Sequence, residues 1–115
     1  MNEHLREEKL NPIVLDLGIA RRGEVDESYL VSLGGQIAYV LRRMFNPGQL
    51  GGMLTLKGNN SEIEAFMKAL GAEKKYLDSF IKHGLDNPRT LRNRSWLNRA
   101  SGNFEKTTGL KWPFK

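Results

Sequence analysis

Lys75, Ser79 and Lys82 stand at i, i+4 and i+7 in this 115-residue chain, the spacing that places three side chains on one face of a helix. Lys74 and Tyr76 flank that face, and Arg89, Arg92, Arg94 and Arg99 follow it. Lysine and arginine neutralise phosphates and release their counterions, which gives affinity without sequence information. Discrimination between bases needs donors and acceptors on a rigid element narrow enough for a groove, and an exposed helix face meets that need. The chemistry these residues suggest is capture of a nucleic acid.

Other chemistries find few residues to work with. There are no cysteines, which removes disulfides, thiolate metal sites and cysteine nucleophiles. His4 and His83 are the only histidines, too few for a zinc site. No two carboxylates are spaced for acid–base work. Gly48–Gly52 holds three glycines but lacks the Lys-Ser/Thr of a phosphate loop. The expectation is a chain that is not an enzyme and takes no metal or cofactor.

Charge is unevenly distributed. Residues 1–80 carry 10 Lys/Arg against 11 Asp/Glu, a net of −1, whereas residues 81–115 carry 8 against 2, a net of +6. Like charges crowded into one third of a chain repel one another, and an anionic partner relieves that repulsion. The polar start, MNEHLREEKLNP, has no apolar stretch resembling a secretory signal, and no apolar run approaches the roughly 18–20 residues of a membrane span. A cytoplasmic protein without membrane association is expected.

The elements that must position the cations follow from periodicity. Residues 1–25 are expected as an N-terminal arm or loop, in which Pro12–Leu17 is an apolar run suited to an edge strand or an arm packed on the body. Residues 26–115 are expected as a single domain. Leu30, Leu33, Ile37, Val40, Leu41 and Met44 form a helical stripe from Asp26 onward, with Asp26 or Ser28 as cap and Asn46-Pro47-Gly48 as stop. Gly34-Gly35 inside it costs about 1 kcal/mol per glycine, which points to close approach of another backbone. Met53–Lys57 reads as a short strand. Ser61 and Glu64 have capping-box spacing, and Ile63, Phe66, Met67 and Leu70 complete the inner face of a helix that Gly71 ends. A second helix is predicted from about Ala72 to His83, with Leu77, Phe80 and Ile81 inward. Asp86–Arg94 breaks period and is expected to be extended or turning. A last helix is predicted from Ser95 to about Thr107, its inner face formed by Trp96, Leu97, Ala100 and Phe104.

That order resembles the winged-helix branch of the helix-turn-helix superfamily. Phe66, Leu70, Gly71, Ala72, Leu77 and Phe80 occupy the places of its packing residues and turn glycine, and YLDSFIKHGLD (Tyr76–Asp86) is similar to the end of its recognition helix. The resemblance implies a mostly α fold with a small β component: a winged-helix-like three-helix core made of a long helix, a short strand, a helix-turn-helix and a basic wing-like segment, plus a C-terminal helix. It also implies duplex DNA as partner and a role in transcription regulation. Lys75, Ser79 and Lys82 would then face the major groove, with Arg89, Arg92, Arg94 and Arg99 on phosphates or the wing.

The rival reading is a non-catalytic protein-interaction or adaptor domain with a basic face. Trp96, Phe104, Trp112 and Phe114 place four aromatics in the last twenty residues. As core closure, with the tail folded onto the first helix, they are ordinary; if Trp112 and Phe114 stay exposed, those two would anchor an interface. The first helix, with Gly34-Gly35 and Tyr39, could also serve a homodimer.

Overall fold

The computed structural model describes residues 13–44 and 54–114. The chain is mostly helical, with one small sheet. Ile13-Val14-Leu15 is β-branched or aliphatic throughout, and Ile13–Asp16 forms strand β1. Helix α1 (Glu27–Met44) then carries the chain to β2 (Leu54–Lys57). The strands pair in parallel, Ile13 opposite Leu54 and Asp16 opposite Lys57, an arrangement that requires a long crossover such as α1. Leu15 and Leu17, in the segment expected as an arm or loop, are fully buried. Met53 and the Asn46-Pro47-Gly48 stop lie outside the described residues.

Asp26 is the cap of α1, its Oδ1 accepting from the Tyr29 N–H at 2.8 Å. The helix buries Leu33, Ile37, Val40 and Leu41, four members of the predicted stripe. The residue packed on Gly34 is Pro113, whose ring lies 3.4 Å from where a Cβ would sit; a proline side chain, not a backbone, makes the close approach.

Helix α2 (Asn60–His83) overturns the expected helix-turn-helix. It runs unbroken through Gly71, which has no positive φ. Glu62, Ala65, Phe66, Ala69, Leu70 and Glu73 are all buried, so one inner stripe passes the glycine without a change of phase. Burial on both sides of Gly71 outweighs the roughly 1 kcal/mol that a helical glycine costs. The capping box also lies two residues earlier than expected. Asn59 Oδ1 accepts from Glu62 N–H at 2.8 Å and Glu62 Oε1 accepts from Asn59 N–H at 2.9 Å. Both registers exist in the sequence, and in the one that forms Arg21 also donates to the Glu62 carboxylate at 3.1 and 3.3 Å. That pairing holds the otherwise buried Glu62 carboxyl below its usual range.

Helix α3 (Pro88–Thr108) begins where a turning, wing-like segment was expected. Asn87 caps it, accepting from Arg89 N–H at 2.9 Å, and Pro88 occupies the first helical position, where its missing N–H costs nothing. Leu91 broke the apolar period because it is half-exposed; the inner position of this first turn belongs to Thr90. Ser79 of α2 meets Thr90, and Phe66 meets Phe104. As the number rises on one helix it falls on the other, so α2 and α3 are an antiparallel hairpin.

Gly109 ends α3 in the left-handed region (φ 76°) and turns the tail back. Trp112 then packs on Phe104 and Phe66, with ring centroids 5.2 and 6.1 Å away. Its indole N–H donates to Glu73 Oε1 at 2.8 Å. Burial pushes the Glu73 carboxyl up, and the Trp112 bond opposes only part of that. Of the two alternatives for the tail, burial selects core closure for Trp112, while Phe114 stays 38% exposed. Trp96, by contrast, was placed on the inner face of the last helix and is 51% exposed.

Candidate nucleic-acid interface

The seam between α2 and α3 opens to solvent as a cleft of about 350 Å³. Lys75, Asp78 and Lys82 project from α2, and Arg89, Arg92, Asn93 and Trp96 from α3; Ser79 and His83 complete the lining. Helical spacing explains the convergence. Lys75 and Lys82 are seven residues apart, two turns of one face, and Arg89, Arg92 and Trp96 succeed one another at i, i+3 and i+7. The antiparallel hairpin brings the two rows together.

Four cations line the cleft against one carboxylate, Asp78, which pairs with Lys82 at 3.4 Å. Lys75, Arg89 and Arg92 are exposed and form no ion pair among the described residues. Concentrated charge of one sign in a concave surface focuses the field on an incoming anion. Phosphate oxygens are the matching chemistry, taken two at a time by guanidinium and singly by ammonium.

A second concavity of about 360 Å³ continues the seam toward the middle of the hairpin. Lys68, Trp96, Arg99, Ala100 and Asn103 line it, so Trp96 is common to both. Lys68, Lys75 and Lys82 form one row at seven-residue intervals, each step about 10.5 Å along the axis. Lys68 pairs with Glu64 at 3.7 Å on the helix surface.

The predicted site residues divide accordingly. Lys75, Lys82, Arg89 and Arg92 meet in the cleft, and Arg99 lines its continuation. Arg94 is exposed on α3, but two residues from Arg92 is about 200° around the helix, so it points away from the seam. Lys74 and Tyr76 are half-buried and also leave the row, one on each side of Lys75. Ser79 is not an exposed groove reader. It is 7% exposed, and its hydroxyl bonds Thr90 at 3.1 Å, so it forms the floor.

Phe80 and Ile81 were expected inward but are 40% and 71% exposed. Beyond Glu73 the only buried residue of α2 is Ser79, whose partner belongs to α3. The edge that buries Leu70 is therefore open three turns later at Ile81. Apolar periodicity does not mark Lys68, Asn93 or Asn103, and it assigns Trp96 to the core. The seven-residue lysine repeat was a signal for Lys68 once Gly71 is read as helical; nothing in the period separates Trp96 from a core residue.

Among the described residues no group of three or more His, Cys, Asp or Glu side chains is placed to hold a metal ion. No helix among them is long and apolar enough to cross a membrane. No protein-family model, curated protein or solved structure matches the chain.

Proposed function

We propose that the chain is a non-catalytic nucleic-acid-binding module that holds the phosphate backbone in the α2–α3 cleft. The observation that carries this is the convergence of Lys75, Lys82, Arg89 and Arg92 from two helices on one concavity with a single opposing carboxylate. Four mutually repelling cations in one cleft are stabilised by an anionic occupant, and a polymer of phosphates satisfies them together. The expected duplex-DNA role in transcription regulation changes its form in this proposal. A continuous helical hairpin replaces the helix-turn-helix, and the contacts it offers are to backbone rather than to a row of base edges. Asn93 and Asn103 are the neutral polar groups beside the cations.

The test is fluorescence anisotropy of a labelled random-sequence oligonucleotide at about 50 and 200 mM salt. Binding at the lower salt that falls by orders of magnitude at the higher is expected for several phosphate contacts. No binding at about 50 mM would remove the proposal and leave an acidic protein surface as the partner to seek.

A further inference from the structure

Trp96 is a large aromatic on the surface of a charged helix, and its surroundings are unusual. It is 51% exposed and forms the divide between the two concavities of the seam, with Arg89 and Arg92 on one side and Arg99 and Asn103 on the other. Among the described residues several other rings find ring or cation partners, although Tyr76 and the exposed Phe80 do not. Phe66, Phe104 and Trp112 pack on one another in tilted and edge-on contacts, Phe114 meets the Trp112 ring edge-on, and Arg43 lies over Tyr39. Among the described residues, no ring or cation is stacked on Trp96.

We infer that Trp96 is a stacking platform for an unpaired base, and that the seam selects single-stranded over duplex nucleic acid. This rests on the reading of the cleft as a phosphate site and assigns the strand class it takes. A duplex offers the seam phosphates and groove-facing base edges but no base faces, because its bases are stacked on one another. A single strand offers phosphates and free base faces at once, and the indole accepts any of them because every base has a π-face. Cations on both sides of the ring place backbone sites before and after the stacked base. Asn93 and Asn103, one beside each concavity, supply amides for the base edge. The apolar floor beside Trp96 at Ala100 gives the base a dry surface on which to lie.

The experiment compares labelled single-stranded and duplex DNA of about 20 nucleotides and random sequence at about 50 mM salt. It uses the full chain and its Trp96→Ala, Trp96→Phe and Arg89→Ala/Arg92→Ala variants, with circular dichroism to confirm that each is folded. The expected result is tighter binding of the single strand, weakened about tenfold by Trp96→Ala and much less by Trp96→Phe, with duplex binding changed less than twofold. Tryptophan fluorescence should be quenched by the single strand in the parent and not in Trp96→Phe, where only the buried Trp112 remains. Equal loss on both forms, or no loss on either, overturns the platform. In that case a fall with Arg89→Ala/Arg92→Ala would still uphold the phosphate cleft. If neither form binds the parent chain, both the cleft and the platform are wrong.

Discussion

The hydroxyls of Ser79 and Thr90 meet at 3.1 Å in the buried seam between α2 and α3, directly beneath the basic cleft. With Ser79 and Thr90 turned into the seam, helical spacing leaves Lys75 and Lys82 on one side of the cleft and Arg89 and Arg92 on the other. Ser79→Ala should therefore lower stability by about 1 kcal/mol, the worth of a buried neutral hydrogen bond whose remaining hydroxyl is left unpaired. It should not alter the order in which different nucleic-acid sequences are preferred. Urea denaturation and a competition series with the same oligonucleotides check both halves, and a changed preference would return Ser79 to the reading surface.

Gly71 separates a continuous helix from a helix-turn-helix more cleanly than any other position. Nothing lies within 4 Å of where its Cβ would be. Gly71→Ala should stabilise the protein by roughly 0.5–1 kcal/mol through helix propensity and a less flexible unfolded chain. A glycine in a left-handed turn would respond with the opposite sign. The midpoint of urea unfolding decides between them.

Part of the architecture is legible in the residues. The apolar stripe of α1 follows from period, whereas strand against arm at Pro12–Leu17, Asp26 against Ser28 as cap, and core against interface for Trp112 are alternatives that the sequence leaves open and packing decides. The continuity of α2 through Gly71 does not follow from period, because glycine marks both helix ends and helix interiors, and only the burial of residues on each side settles which. The start of α3 was obscured for a related reason. Its inner residue is a threonine satisfied by a serine on another helix, so apolar periodicity cannot detect it, although Asn87-Pro88 was a valid cap signal. Of the site, the cations were visible as a composition. Their sorting into cleft and periphery needed the hairpin, which turns Arg94 away from Arg92 and brings Lys68 into line with Lys75 and Lys82.

Glu73 should make stability depend on pH in the direction opposite to the paired carboxylates. Burial raises its pKa, so the folded state holds the proton more tightly than the unfolded chain. The stability this contributes is complete below the unfolded pKa and is lost as pH rises through the folded one. Glu62 and Asp16 are lowered, chiefly by hydrogen bonds from Arg21 and Arg22, so their contribution is present above the ordinary carboxylate range and is lost as pH falls through their folded values. Glu73→Gln keeps an acceptor for the Trp112 indole while removing the charge. Its Tm should exceed that of the parent at pH near 7.5, and the difference should shrink as pH is lowered toward about 4. A Tm below the parent's at neutral pH would mean that the ionised carboxylate is itself stabilising there.

Whether the α2–α3 cleft or basic charge in general would hold the phosphates is decided by salt dependence. The most direct measurement is the slope of log K against log salt for a labelled oligonucleotide, taken for the parent chain, Arg89→Ala/Arg92→Ala and Arg94→Ala. Loss of two phosphate contacts should weaken binding of all sequences alike and flatten the slope by about 2, one for each cation removed. Arg94→Ala, which leaves the cleft intact, should change the slope far less. Equal flattening in a single Arg94 variant, or an unchanged slope in the Arg89/Arg92 variant, would contradict the account and place the anion elsewhere on the surface.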